Sequence, residues 1–220
     1  PRAARLAMDK LATKLEAAGI GIPTARSAVL DRADPVCPID LPAVVKPVHE
    51  GSSVGLAICR SGDDWSRAHE RVRSGAFGER VFLVETLIPG RELTVGLLGG
   101  GGGLDALPVV EIRPASGVFD YEAKYARGDT VYTVGPDLPA GIAERVRADA
   151  LRLAEAIGVR HLCRVDFILD EHGTAWLLEV NTMPGFTATS LLPKAAARVG
   201  IDLPTLASRL VGLAKDDGAR

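Results

Sequence analysis

Cysteine is scarce here and cannot pair off: Cys37, Cys59 and Cys163 are an odd number at spacings that match no metal-ligand motif. That excludes a disulfide framework and a cysteine zinc site, and fits reduced thiols of a cytoplasmic protein. An excess of one charge is lacking too. The 26 Lys and Arg against 28 Asp and Glu leave a formal net charge of -2, so nothing in the balance calls for a nucleic acid or a membrane as partner. No apolar run approaches the ~20 residues of a membrane span, and no secretory signal is expected. His49, His69, His161 and His172 share no ligand spacing and are expected at the surface. Repeats are absent, and the only low-complexity tract is the five glycines Gly99 to Gly103.

What is present suffices for a real core. The chain has 220 residues, 47% of them hydrophobic, which suits one large domain or two small ones. MDKLATKLEAAG places Leu11, Leu15 and Ala18 at helical spacing, with Gly19 to close the helix. LPAVVKP reads as a short buried strand, LAIC as another, and DDWSRAHERVRS as an amphipathic helix with Asp63 or Asp64 near its start. VFLVE and ELTVGLL read as strands around the turn TLIPGR, and DALPVVEIRP as one returning strand. From Ser116 to Thr133 the pattern is polar and irregular. A loop that long in a compact domain is functional or disordered, and its three tyrosines argue against plain disorder. LPAGIAERVRADALRLAEAIG, SLLPKAAARVG and LPTLASRLVGLAK read as helices.

VDFILDEHGTAWLLEVNTMPG, from Val165 to Gly185, sets the chemical question. It reads as a hairpin, yet Asp166 lies in the first apolar run and Glu179 and Asn181 in the second. Side chains alternate faces along a strand, so Arg164, Asp166 and Ile168 share a face. A four-residue loop, Glu171 to Thr174, sets Asp166 opposite Glu179 and Arg164 opposite Asn181. Two carboxylates side by side in low dielectric repel, and a divalent cation removes the repulsion. Oxygen-only ligands point to Mg²⁺, Mn²⁺ or Ca²⁺. On the hairpin alone, a metal site and a sheet edge with solvated acids stand level.

Two weaker signals accompany it. Lys46 ends a strand and precedes EGSSVG, whose backbone N–H groups could cradle phosphate, although the Walker spacing is missing and a plain turn is open. Glu85 and Glu92 flank TLIPGR, which could present backbone groups and an acid to an adenosine, or be only a turn.

In this order, MDKL, VVKPVHEGSSVG, VETLIPGRELTV, DYEAKY, CRVDF and LLEVNTMPGFTATSLLPKAA resemble the ATP-grasp family and, within it, the D-alanine–D-alanine ligases. The resemblance runs from about Met8 to Leu213. It implies an α+β chain of two ATP-grasp subdomains, 1–86 and 87–220, gripping ATP between them. Lys10 and Lys46 are similar to the lysines that hold the phosphates. Glu50, Gly51, Ser52 and Ser53 are similar to the loop that closes over them. Glu85, Thr86, Leu87 and Ile88 are similar to the adenine linker, and Glu92 to the ribose acid. Lys124 and Tyr125 resemble active-site residues of a mobile loop. Arg164 and the Gly185 N–H resemble oxyanion donors. Asp166, Glu179 and Asn181 resemble ligands of two Mg²⁺ or Mn²⁺ ions, and Ser190 and Leu191 resemble contacts to a second substrate.

The implied reaction joins two D-alanine molecules through an acyl phosphate for peptidoglycan synthesis, in a cytoplasmic homodimer. D-lactate, D-serine or a modified amino acid as second substrate, and a nucleotide-binding module without ligase activity, remain open. Family members carry an α/β domain before MDKL that helps bind the first D-alanine. Only seven residues precede Met8 here and the chain does not start with methionine, so it is expected either to be part of a longer protein or to have that domain supplied by a separate chain. First-substrate binding and activity of this chain alone are therefore left open.

Overall fold

The computed structural model of the protein describes residues 2–51, 54–100, 102–114 and 130–218. Among the described residues every pairing between strands is antiparallel, in two sheets, with one isolated parallel bridge from Thr24 to Leu177, and the chain is α+β. The first sheet has the order β1-β4-β2-β3, from β1 (Ser27–Val29), β2 (Ala43–Pro47), β3 (Ala57–Cys59) and β4 (Phe82–Thr86). Helix α3 (Gly62–Arg73) covers it. Its start is fixed by a capping box: Ser61 accepts from the Asp64 N–H while Asp64 accepts from the Ser61 N–H. Trp65, Val72, Phe82 and Val84 close this small core. His69 belongs to it and is not at the surface. It is 5% exposed, leans on Trp65 and has Nε2 3.1 Å from the Asp31 carbonyl.

The second sheet is larger. Its path is β10-β9-β5-β7-β8, with β6 paired to the end of β5. The strands are β5 (Arg91–Gly100), β6 (Gly103–Ala106), β7 (Val110–Arg113), β8 (Val131–Val134), β9 (Leu162–Leu169) and β10 (Ala175–Asn181). Alternation gives it two unlike faces. Leu93, Val95 and Leu97 of β5 and Cys163, Val165 and Phe167 of β9 point into a core shared with helix α4 (Ile142–Ile157). Each such side chain contributes roughly 1.5–3 kcal/mol on burial. Helix α4 stops at Gly158, whose φ of 81° is the left-handed cap that glycine adopts freely. The opposite face meets α5 (Leu191–Arg198) and α6 (Leu203–Gly218) at one end only. At its other end Asp166 and Ile168 open onto a cavity.

Three local features differ from expectation. Arg2–Met8 form a helix, α1, ahead of α2 (Lys10–Gly19). Both pack through Ala7 and Ala17 onto the larger core, so residues 2–22 lie with the second sheet before the chain crosses to the first. The one strand expected over Asp105–Pro114 is two, β6 and β7. The chain leaves β5 after Ala106 and rejoins it at Val110, past Pro108, which has no N–H for the ladder. Val131–Val134, read as irregular, pairs with β7 as the sheet's edge. No helix among the described residues is long and apolar enough to cross a membrane.

Candidate active site

A cavity of about 650 Å³ separates the two sheets, a size suited to a small molecule. Lys46 and Glu85 come to it from the first sheet, Asp166 and Glu179 from the second, and Lys10 from the start of α2. Thr86, Leu87, Ile88 and Glu92, on the crossing between the sheets, line it as well. The Thr86 and Leu87 N–H groups donate to the carbonyls of Arg26 and Pro42, at 3.0 Å each, and anchor the crossing. At Gly90 the chain runs so close to β9 that a Cβ would fall 2.3 Å from the Leu169 carbonyl oxygen. Only glycine fits there. Beside it, Arg91 forks onto Glu111 at 2.8 and 2.9 Å.

On the basic side, Glu85 is buried between two lysines. Lys46 Nζ is 2.6 Å from Oε2, and Lys14 Nζ is 2.9 Å from Oε1. Burial alone would push the Glu85 carboxyl up, but Lys46 and then Lys14 overcome it and hold it below its ordinary value. Lys10 lies 3.6 Å from Glu179 and donates to the Glu50 carbonyl. Burial lowers its pKa, with Glu179 opposing. The Glu50 carboxylate turns away to Arg80 at 2.6 Å. Gly51 is exposed. Ser52, Ser53, Lys124 and Tyr125 lie outside the described residues.

On the acidic side, Glu179 pairs with Asp166 and Asn181 with Arg164 across β10 and β9. The register holds for a reason the sequence did not reveal. The loop has five residues, Asp170 to Thr174, and Asp170 organises it by accepting from the N–H groups of His172 and Thr174 and from Trp176 Nε1. That one-residue offset is cancelled by a bulge between Leu177 and Glu179. Buried residues on β10 are therefore three apart, Leu177 and Val180, not two. Leu178 and Glu179 both line the cavity.

The repulsion expected between the two acids is met within the chain. Arg164 forks onto both Asp166 oxygens at 2.8 Å, and the Thr94 hydroxyl donates to Oδ1. Burial works against the Arg164 charge, but Asp166 overcomes it and raises the guanidinium pKa. Glu179 has Lys10. An all-oxygen set of two carboxylates and the Asn181 amide fits Mg²⁺ or Mn²⁺ in chemistry, and its small number leaves positions for water and phosphate oxygens. Among the described residues no three His, Cys, Asp or Glu gather to hold a metal by themselves. Asp166 is taken up by Arg164, and Asn181 Oδ1 accepts from the Met183 N–H at 2.9 Å, so Glu179 is the acid best placed to offer an oxygen.

Other expected residues stand apart. Arg164, Asn181, Gly185, Ser190 and Leu191 are not among the residues lining the cavity. Gly185 is exposed and abuts Ser190, whose Oγ would lie 2.8 Å from a Cβ there. Ser190 precedes α5 and accepts from the Thr187 N–H at 3.1 Å, without capping the helix through its side chain. The Leu191 side chain is in the core, so only its backbone could meet a ligand. Lys14 and Thr94 were not anticipated. Lys14 falls four residues after Lys10, hence on the same helix face, and Thr94 falls two after Glu92 on one strand face.

Comparison with known proteins identifies the family and the fold. A family model described as D-ala D-ala ligase C-terminus matches residues 26–212. The D-alanine–D-alanine ligase of Gluconobacter oxydans is 43% identical over 218 residues, covering 96% of this chain and 69% of that protein. That of Acidiphilium cryptum is 44% identical over 213 residues, covering 96% and 68%. The chain thus spans about two thirds of these relatives' length. Among solved structures, D-alanine–D-alanine ligase from Bacillus anthracis complexed with ATP superposes with a TM-score of 0.78 at 28% identity, covering 96% of this chain and 67% of that one. VanG D-Ala:D-Ser ligase from Enterococcus faecalis gives 0.82 at 27%, covering 96% and 63%. Two antiparallel sheets, a cavity between them lined by lysines on one side and acids on the other, and a family model spanning most of the sequence lead to one assignment: the chain belongs to the D-alanine–D-alanine ligase family, with the ATP-grasp fold.

Proposed function

We propose that this chain is the ATP-binding and ligating part of an enzyme that joins two D-alanine molecules into D-alanyl-D-alanine, for peptidoglycan precursors in the cytoplasm. The observation that carries the reading is the cavity in which Lys10 and Lys46 face Asp166 and Glu179. In this reading the two gripping units divide near residue 86, except that residues 2–22 pack with the larger unit, 87–220, and not with the smaller; the whole enzyme is a homodimer that acts on small-molecule substrates.

The carboxylate of the first D-alanine attacks the γ-phosphorus of ATP, and ADP leaves. The amine of the second D-alanine, having lost a proton, attacks the acyl carbon, and phosphate leaves. Lys10 and Lys46 bind phosphate oxygens, the Glu85–Ile88 backbone holds adenine and Glu92 the ribose. Asp166, Glu179 and Asn181 would hold two Mg²⁺ or Mn²⁺ ions, which when bound neutralise phosphate charge. Arg164 and the Gly185 N–H act on the oxyanion, where one donor is worth ~10²–10³ in rate. The backbone at Ser190 and Leu191 meets the second substrate. Ser52, Lys124 and Tyr125 complete the lid that keeps water from the acyl phosphate.

The test is phosphate release and dipeptide formation with ATP and D-alanine, on this chain and on the full-length protein that contains it. Dipeptide from the full-length protein supports the reading. A product with D-serine or D-lactate in its place changes the second substrate, and no product from any pair leaves a nucleotide-binding module.

A further inference from the structure

Lys14 lies behind the cavity wall, not in it. Its side chain is 5% exposed and its ammonium is 2.9 Å from Glu85 Oε1, an ion pair in which neither atom makes a well-aligned hydrogen bond, to the other or elsewhere. Lys46 takes the other oxygen of the same carboxylate at 2.6 Å. Lys46 and Glu85 line the cavity and Lys14 does not. A buried ammonium is costly to keep, and burial lowers the Lys14 pKa from 10.5 with Glu85 opposing. One lysine would neutralise one carboxylate, so the second needs a reason.

The reason follows from the nucleotide reading, on which this inference rests. Lys46 is one of the two lysines assigned to phosphate, yet without nucleotide it holds Glu85. To reach a phosphate it must leave a buried carboxylate. If Glu85 had no other partner, that departure would strand a buried charge, which is strongly unfavourable. Lys14 prevents this. It sits on α2, anchored to the larger core through Ala17, one turn after Lys10. The same helix face thus sends Lys10 to Glu179 and Lys14 across to the first sheet. We propose that Lys14 is a positioning residue, the standing counter-ion of Glu85 that frees Lys46 to exchange that carboxylate for the phosphates of a nucleoside triphosphate.

A purely structural tie between α2 and the first sheet would make a different forecast. Its loss would weaken every ligand of the cavity alike, whereas loss of a counter-ion acts on phosphate binding alone. Calorimetry on the folded 220-residue chain with MgATP and with adenosine separates them. Lys14→Met should weaken MgATP ~10- to 100-fold while adenosine changes less than ~2-fold, because only the triphosphate requires Lys46 to move. Lys14→Arg should restore the wild-type ratio of the two affinities. So should Lys14→Met/Glu85→Gln, in which no carboxylate is left to strand. Should Lys14→Met not fold, the double variant is compared with Glu85→Gln alone. Equal ratios support the proposal, since without Glu85 there is nothing for Lys14 to hold, and a lower ratio in the double variant overturns it. An unchanged ratio in folded Lys14→Met overturns it as well. A wild-type chain that binds neither ligand overturns the nucleotide reading and this inference together; normal wild-type binding with an unchanged ratio overturns this inference alone.

Discussion

Two buried carboxylates face one cavity from opposite sheets, and their partners differ in kind. Glu85, in the first sheet, is held by the ammonium groups of Lys14 and Lys46. Asp166, in the second, is held by the fork of Arg164 and the Thr94 hydroxyl. A guanidinium binds a carboxylate through two parallel bonds and keeps its charge at any accessible pH. An ammonium is a point charge on a flexible stem, able to swing and to shed its proton. The Asp166 side is therefore built to stay in place, and the Glu85 side to change partners.

The sharpest break in this comparison is Asp166→Asn. It leaves the Arg164 charge buried and unable to discharge, and should cost ~3–5 kcal/mol. Equilibrium unfolding in urea measures it, and a loss under ~1 kcal/mol would show that the fork carries no weight. Glu85→Gln should cost less, ~1–3 kcal/mol at pH 7, because the stranded Lys14 can discharge. Lys14 already has a lowered pKa. A lysine so lowered binds fewer protons folded than unfolded in the window below 10.5, so the cost should shrink as pH rises through it. Melting temperatures at pH 7 and 9.5 test the trend, and a constant gap counts against it.

Acid should act through the same group. The Glu85 carboxyl is held below 4.5 in the fold. The unfolded chain then binds more protons between the folded value and 4.5, and stability contributed above 4.5 is lost as pH falls through the folded value. Melting scans from pH 6 to 3 should fall more steeply for wild type than for Glu85→Gln; parallel curves would reassign the acid sensitivity. Glu179→Gln should have the smallest effect on stability. Its side chain is 24% exposed and 3.6 Å from Lys10, so ~0–1 kcal/mol is expected. Ligase turnover of the full-length enzyme should nonetheless collapse. A stability loss matching that of Asp166→Asn would erase the distinction between the acids.

Much of this contrast was legible in the sequence. Asp166, Glu179 and Arg164 stand out because charge interrupts apolar strands, and Lys46 because it ends one. Lys14 did not, since a lysine on an amphipathic helix reads as solvated until the chain brings Glu85 to it from 71 residues away. The Leu178 bulge was hidden for a similar reason: alternation counts residues and cannot register one that the ladder skips. Helix α1 gave no cap or break to mark it, and its burial rests on tertiary contact through Ala7. Ser61 is legible in the sequence as the cap, with Asp64 three residues on completing a capping box.

The bulge at Leu178 also sets what the hairpin can tolerate. Before it, β10 is phased to the loop; after it, Glu179 to Asn181 are phased to Arg164 to Asp166 by their own ladder. The skipped residue works as a slip joint. Insertions or deletions in the Asp170–Thr174 loop can be absorbed there without turning Glu179 away from Asp166. The outer end of this hairpin can thus change in length while its acids stay fixed in register.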